Sequence, residues 1–405
     1  MMKKRYRIAA LCILFAVPLL SLSAKDFGVL LDQNAAFSVI GQTNAFEYHG
    51  TITPWFSSSL GNNAEVFVSA SFSANLDGQD WTFVPELLRT EFDFGVGENG
   101  SFRFGRMSYA DPLGFIANGL FDGARYSLSL ANGSTLSAGA WYTGLLYKKN
   151  AHITITSNEL DSYKKTFEYA NFLDSYFAPR RVIAAVDWNH PGIAELVRLN
   201  LSLLAQFDVN GSDSYYHSQY FIAKASVPYN QFVFDAGAAV EMAQATGNIQ
   251  VAFAGDASVA WMLPTTWNDR LGLLGRFTSG TVGGENPVTA FIPVTTESHG
   301  YILKEKISGL SMLKLDYTAR LHDTISIIIA DSYFVLSDKG SYQGFPSGKD
   351  GYFLGNEIYG MITWSPFSDL QLTAGGGVFL PMLGNADSNA DPMWSVNLNL
   401  VLALF

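Results

Sequence analysis

Hydrophobic and polar residues alternate in steps of two along much of this chain. In the run VRLNLSLLAQFDV (residues 197–209), leucine and phenylalanine dominate one phase, while arginine, asparagine, glutamine and aspartate occupy the other. The runs FVFDAGAAVEM, VAFAGDASVAWML and MLKLDYTARL repeat the pattern further along the chain. A period of two is the period of a β-strand, so these runs predict strands with one apolar and one polar face.

The connections between these strands differ in length in a regular way. We predict about 18 strands, with about 16–20 as the range, because runs of about ten residues recur between turn signals. Short connections lie at residues 61–63, 95–101, 131–134, 191–196, 228–231, 264–269, 321–323 and 365–369. Longer ones between them include residues 149–179, 281–309, 337–352 and 382–392. Short periplasmic turns and longer external loops are typical of outer-membrane barrels, and an even strand number places both termini on the periplasmic side.

Two all-β architectures use alternating strands of this kind. In a soluble sandwich the apolar face meets a second sheet, whereas in a membrane barrel it meets lipid and the charged face encloses water. The asymmetry of the connections favours the barrel. The predicted fold class is therefore all-β, a transmembrane antiparallel β-barrel in the bacterial outer membrane, with both termini periplasmic.

The N-terminal segment predicts export from the cytoplasm. Four cationic residues precede the apolar run 8–20, and small residues follow it. This order is typical of a secretory signal peptide, and the apolar run is too short to span a bilayer as a helix. We predict a cleaved signal at residues 1–24 and a barrel at residues 25–405, with an uncleaved anchor as the alternative.

The C-terminal run MWSVNLNLVLALF reads as the closing strand of the barrel. We expect it to pair with the first strand near residues 27–39, because an unpaired edge in lipid costs several kcal/mol per backbone group. The final Phe405 is similar to the signal that the outer-membrane barrel assembly machinery reads. It lies in the phase opposite to the leucines, however, and a bulge near the end would reconcile the two.

Composition excludes several other classes of protein. Hydrophobic residues make up 48% of the chain and aromatic residues 14%, yet no later segment has the roughly 18 consecutive apolar residues of a spanning helix. Loss of the predicted signal removes four cations and changes the net charge from −11 to −15. A chain this acidic is not expected to bind nucleic acid. Cys12 is the only cysteine and lies within the predicted signal, so no disulfide is expected.

Two stretches resemble a known family of porins. RFGRMSYADPLGFIANGLFDGARYSL (residues 103–128) has a Gly-Arg strand end, a loop and an FDGAR strand start. GNEIYGMITWSPFSDLQLTAGGGVFLPML (residues 355–383) has a Gly-x-Glu-Ile start, a turn and a Gly-rich return strand. Both resemble the outer-membrane porin group that includes alginate-export channels. The resemblance implies an eighteen-stranded monomeric channel but does not fix the solute, because alginate channels are richer in lumenal arginine than this chain.

Projection of the alternation onto a barrel predicts which charged side chains line the pore. They are Arg89, Glu91, Asp93, Arg103, Arg106, Arg125, Arg181, Arg198, Asp235, Glu241, Asp256, Asp316, Arg320, Asp331 and Glu357. Arginines concentrate in strands 4–9 and acids in strands 11–12. This distribution predicts either a transverse field in a weakly selective pore or ion pairs that satisfy each other across the wall.

One strand end departs from the alternation. Arg106 breaks the phase set by Phe102 and Phe104, so we expect it to lie past a bulge and to point inward. The adjoining loop at residues 111–121 either folds inward as a constriction or packs on its own rim, and the rim is slightly favoured.

Catalytic motifs do not occur in the sequence. The six histidines are scattered, and neither a metal-binding His spacing nor a Gly-x-Ser-x-Gly elbow is found. We therefore predict no enzyme activity, no catalytic or metal site and no cofactor.

The predicted function is a channel for passive diffusion of small hydrophilic solutes across the outer membrane. Its predicted partners are the lipid bilayer, the barrel assembly machinery and the solutes. One alternative is an uptake barrel for apolar molecules such as fatty acids, which would need an N-terminal plug and an apolar lumen. The other is an adhesin or structural barrel whose external loops contact a host or matrix.

Overall fold

The computed structural model covers the predicted barrel. It describes residues 24–41, 43–78, 80–211, 215–245, 248–281, 288–339, 351–387 and 389–405. The predicted signal peptide lies outside these residues apart from Ala24, as do parts of the predicted loops 281–309 and 337–352. Within the described ranges, no helix has both the length and the apolar character needed to cross a membrane.

The chain folds into one large antiparallel sheet of eighteen strands, which confirms the predicted all-β class and the predicted strand number. In chain order the strands are β1 Ala24–Ile40, β2 Thr43–Ser59, β3 Ala64–Asp77, β4 Asp80–Val96, β5 Gly100–Ala110, β6 Asn118–Ser129, β7 Thr135–Tyr142, β8 Arg181–Ile193, β9 Val197–Asp208, β10 Tyr216–Tyr229, β11 Phe232–Ala245, β12 Asn248–Met262, β13 Arg270–Thr278, β14 Leu310–His322, β15 Ile325–Leu336, β16 Phe353–Phe367, β17 Leu370–Leu380 and β18 Met393–Leu404.

The sheet closes on itself because the last strand pairs with the first. β18 runs antiparallel to β1 from the pair Val29–Leu404 to the pair Ile40–Met393. This is the closure that the C-terminal run predicts. No register shift interrupts β18 against either neighbour, so the expected bulge is absent. Phe405 keeps the phase opposite to the leucines, and its ring packs edge-on against Trp55.

The apolar face of the sheet is exposed and the other face is enclosed, which is the reverse of a soluble protein. Along β11, Phe234, Val240 and Met242 are exposed, whereas Ala239 and Glu241 on the other phase are buried. Large apolar side chains of the other strands are likewise exposed on this outer phase. A continuous apolar exterior around a polar, closed interior is the arrangement of a membrane barrel.

Eight connections at one end of the barrel are tight, at the places that the sequence predicts. They join β2 to β3, β4 to β5 and so on to β16 and β17, and the longest spans only residues 263–269. The other end carries the predicted loops, although β1 and β2, β3 and β4, and β11 and β12 are each separated by only two residues in the sequence. β1 starts and the last strand, β18, ends at the end of the tight turns.

Among the described residues, the α-helices lie in the loop from β7 to β8. They are α1 Leu160–Lys164, α2 Phe172–Ser175 and 3-10 turns at Ser157–Glu159 and Tyr169–Asn171. A further 3-10 turn lies at Pro381–Leu383, and a two-residue hairpin pairs Ser298–His299 with Glu305–Lys306.

The barrel wall is interrupted between β4 and β5. Their pairing stops at Thr90 and Arg106, while β5 and β6 stay paired as far as Ala110 and Asn118. Gly105 sits at this break with φ of +113°, and a Cβ there would lie 1.7 Å from the Thr90 carbonyl oxygen. Only glycine fits this bend, which directs the hairpin tip away from the wall.

Replacement of Gly105 by alanine tests this bend. We expect Gly105→Ala to lower the free energy of unfolding by about 1–3 kcal/mol, because the residue would be strained and would clash with Thr90. The measurement is urea unfolding of the refolded barrel in lipid vesicles, followed by tryptophan fluorescence. Gly275→Ala is the matched control, since a Cβ at Gly275 meets no atom within 4 Å. Equal unfolding midpoints for the two variants would contradict the assignment.

Candidate functional site

The tip of the β5–β6 hairpin folds into the lumen of the barrel. Met107, Tyr109 and Phe121 are buried there, and they pack in one cluster with apolar residues on the inner faces of β8 to β12. The connecting loop, residues 111–117, therefore lies inside the barrel. This is the constriction that the sequence allows, and the slightly favoured alternative of a loop on its own rim is wrong.

The physical reason is that the loop finds apolar partners on the opposite wall. Leu113 occupies the space beside Gly237 of β11, where an added Cβ would come within 2.2 Å of the leucine. The Arg276 guanidinium of β13 lies 4.2 Å from the centre of the Phe115 ring. The loop thus extends from β5–β6 to β11–β13 and narrows the lumen between them.

One carboxylate holds the loop in shape. Asp111 accepts hydrogen bonds from the backbone N–H groups of Leu113, Gly114, Ile116 and Ala117 at 2.8, 3.0, 2.8 and 2.8 Å. Four charge-assisted bonds to one side chain satisfy backbone groups that have no strand partner. Asp111 was not among the predicted site residues, although an aspartate at the start of a glycine-containing loop is a known turn signal.

Two of the predicted pore-lining acids hold the second inward segment, which belongs to the loop between β13 and β14. Glu241 accepts the N–H of Ile292 at 2.8 Å and also binds tyrosine hydroxyls of β10. Glu357 accepts the N–H groups of residues 301–303 at 2.7, 2.9 and 2.9 Å. Both carboxylates face inward, but loop backbone covers them.

A ladder of ion pairs follows the inner faces of β4 to β8. Arg89 pairs with Glu91, Arg103 with Asp93, and Arg125 with Asp187. The Arg103 side chain is 43% exposed, so the ladder meets water while each arginine keeps a carboxylate partner. These are the ion pairs between arginines and carboxylates that were predicted as the alternative to a transverse field.

Two further acids of the inner face have arginine partners on the next strand. Asp256 lies 3.6 Å from Arg276 and Asp316 lies 3.1 Å from Arg270.

A cavity of about 380 Å³ lies between the inward loop and the end of the tight turns. Its lining includes Pro112 of the loop and the charged residues Arg198, Lys224 and Asp235. Ser226 donates a hydrogen bond to Asp235, whereas Arg198 and Lys224 have no carboxylate within 4 Å among the described residues. The cavity therefore offers two cations and one acid to a solute.

Three further predicted pore-lining residues do not reach lumenal water. The Arg106 side chain is 5% exposed and binds both oxygens of Asp122 at 2.8 Å, with its remaining donors on the carbonyls of Leu87 and Leu145. It ties β6 and the β7–β8 loop to the free edge of β4, so the expectation that Arg106 points into the open lumen is wrong.

Arg181 is the second correction. Its side chain is 1% exposed because α1 and its flanking turn cover the top of β8. The guanidinium lies 2.7 Å from Glu159 and 3.0 Å from Asp208. Arg181 therefore fastens the β7–β8 loop to the barrel.

Asp331 is the third correction, because it lies on the outer face. It stands opposite Leu315 and Ile358, which are both exposed to the exterior, and it accepts a hydrogen bond from Asn356. The prediction for Asp331 failed because Phe334, on the inner phase of β15, is as apolar as the outer residues. The alternation along β15 therefore does not distinguish its two faces. Arg320, by contrast, lies near a tight turn, exposed at the rim.

The described residues contain no group of three or more His, Cys, Asp or Glu side chains placed to hold a metal ion.

Comparisons with known proteins find the same fold in solved structures. No protein-family model and no curated protein matches the chain. Pseudomonas aeruginosa OccK2 (OpdF) aligns with a TM-score of 0.65 at 14% identity, over 95% of this chain and 98% of that one, and OccK2 has also been solved with glucuronate. P. aeruginosa OpdK with vanillate aligns with a TM-score of 0.61 at 10% identity, over 94% and 98%.

The outer membrane protein OprD from P. aeruginosa is a third match, with a TM-score of 0.58 at 11% identity over 94% of this chain and 93% of that one. At these identities the likeness establishes the fold. It does not support the alginate-export subgroup.

The buried ion pair of Arg106 gives a testable stability difference. We expect Arg106→Ala to destabilise the barrel by about 3–5 kcal/mol, because it leaves Asp122 and two carbonyls without their donor. Arg320→Ala is the control. Arg320 is 55% exposed and 3.9 Å from its partner Asp323, so its loss should cost less than about 1 kcal/mol. Urea unfolding in vesicles measures both, and similar losses would refute the structural role of Arg106.

Proposed function

We propose that this protein is a passive channel of the bacterial outer membrane for small hydrophilic solutes. The observation that carries the proposal is a closed, outwardly apolar barrel whose inner wall bears an ion-pair ladder and is narrowed by the 111–117 loop. A wet, charged lumen favours hydrophilic solutes over apolar ones. The proposal includes no catalytic role.

The proposed solute class is small carboxylates and similar polar molecules. Arg198 and Lys224 stand without carboxylate partners beside the constriction, where they attract a negatively charged group. The structural relatives OccK2 and OpdK have been solved with glucuronate and vanillate, which both carry a carboxylate. A narrower relation to alginate-export channels rests only on the two sequence stretches.

The proposed orientation places the tight turns and both termini in the periplasm, as in other outer-membrane barrels. The long loops then face the exterior. The barrel assembly machinery is a proposed partner, on the basis of the closing strand and the terminal Phe405.

Reconstituted protein should conduct. We expect single-channel steps in planar bilayers, and swelling of proteoliposomes in small sugars and sugar acids but not in polymers too large for the lumen. Asp111→Ala should release the inward loop and give larger or noisier steps, because the four N–H groups lose their acceptor. Folded protein that shows neither steps nor swelling would refute the channel.

The cavity cations give a selectivity test. We expect the double substitution Arg198→Met/Lys224→Met to slow glucuronate entry about fivefold relative to glucose, since loss of attraction worth ~1 kcal/mol changes a rate by about that factor. Proteoliposome swelling measures the ratio. Arg320→Met removes a charge at the exposed rim and serves as the control. An unchanged glucuronate-to-glucose ratio in the double variant would remove the cavity from the proposal.

A further inference from the structure

A second cavity, of about 410 Å³, lies at the loop-bearing end of the barrel. We name it the mouth pocket and define it by Lys148, Ser162, Lys165, Asp174, Arg180 and Asp208. It is formed by the β7–β8 loop, in which α1 and the residues that lead back into β8 cover the loop-bearing ends of β8 and β9. Its volume falls in the range of sites that bind small molecules.

Lys148 is the unusual residue of the mouth pocket. It is only 2% exposed, and its Nζ donates to the carbonyl of Ser162 at 2.7 Å. The Lys148 ammonium has three N–H donors, and no carboxylate of the described residues lies within 4 Å of it. A buried charge without an opposite partner is costly, and an anion bound beside Lys148 would reduce that cost.

The acids of the pocket do not fill that role, because most of their charge is already engaged. Arg181 lies between Glu159 and Asp208, at 2.7 and 3.0 Å. Among the described residues, Lys165 and Arg180 have no ion-pair partner within 4 Å. Three cationic side chains without an ion-pair partner therefore face the pocket, those of Lys148, Lys165 and Arg180. Its acids are Asp174 and the two carboxylates, Glu159 and Asp208, that already pair with Arg181.

The protonation of Lys148 is sensitive to its surroundings. Burial lowers the pKa of Lys148 to about 8, and repulsion from Lys149 and Lys165 acts in the same direction. The other charged groups around the pocket are Glu159, Asp174, Arg180, Arg181 and Asp208. A bound anion would favour the protonated amine, because opposite charges stabilise each other.

We propose that the mouth pocket binds the carboxylate of a small solute before the solute enters the barrel. Lys148 donates its two remaining N–H groups to the carboxylate, and Lys165 and Arg180 attract it from solution. The inference rests on the proposed channel for small carboxylates and adds a capture site on its external side. Sugar-sized acids fit the volume.

The test measures glucuronate binding to the refolded full barrel in detergent by isothermal titration calorimetry. The Arg198→Met/Lys224→Met background removes the cavity near the constriction as a second site. In this background, we expect Lys148→Met to weaken binding about tenfold to hundredfold, the effect of losing a charged hydrogen bond. Lys164→Met, an exposed lysine of α1 outside the pocket, is the matched control and should bind within about twofold of the parent.

A pH series separates capture by Lys148 from general attraction. Affinity should fall as the pH rises from 7 to 9, because Lys148 loses its proton near pH 8 and an uncharged amine attracts the carboxylate less. Lys148→Arg should bind with little change over this range, since arginine stays charged. A pH dependence that persists in Lys148→Arg would overturn the role of Lys148. Folding of each variant is checked by the heat-dependent electrophoretic shift of the barrel.

Two comparisons separate this inference from the channel itself. Unchanged glucuronate affinity in folded Lys148→Met, together with normal swelling, would refute the mouth pocket and leave the channel intact. Binding that depends on Lys148 in a protein that gives no swelling would refute the channel and leave the pocket. Inorganic phosphate binding more tightly than glucuronate would overturn the assignment to carboxylates, and glucose should not bind.

Discussion

The structure depends on one constraint: a backbone N–H or C=O group that faces hydrocarbon must find its partner inside the protein. Each such group left unpaired costs several kcal/mol, so a sheet in a membrane can have no open edge. The pairing of β18 with β1 removes that edge. It also explains why β1 starts and β18 ends at the same end of the barrel.

The same constraint explains how the wall tolerates its interruption. Where β5 leaves β4, three alternate carbonyls of β4 lose their ladder partners. Side chains replace them: Tyr169 donates to Phe83, Tyr176 to Pro85 and Arg106 to Leu87. Inside the lumen, the carboxylates of Asp111, Glu241 and Glu357 accept hydrogen bonds from backbone N–H groups of the loops. The inward loops are therefore held by charged groups that bind backbone, and the ion-pair ladder remains to face water.

The sequence predicted the fold well because lipid imposes a simple pattern on the outer face. Most outward positions are apolar, so period-two alternation locates strands such as β9 and β11, and tight turns fix their order. The number of strands followed from these two signals, as did the closing role of residues 393–405.

The inner face was harder to predict, since its residues meet either water or an inward loop. Phe334 and Ile183 are apolar and point inward because loops cover them, so polarity no longer marks the lumen. This is why Asp331 was placed on the wrong face and Arg181 was expected in water. Arg106 acts through contacts with residues distant in sequence, such as the carbonyls of Leu87 and Leu145. A single sequence contains no local signal for such contacts.

The central claim is that the apolar phase of each strand touches lipid and the other phase encloses water. Spin labels at cysteines introduced singly at residues 396–399 of β18, in a Cys12-free barrel in bilayers, test it most directly. The account predicts that labels at Val396 and Leu398 collide with lipid-soluble oxygen, and labels at Asn397 and Asn399 with a water-soluble nickel chelate. The absence of this alternation, or equal access of the nickel chelate to all four positions, would contradict it.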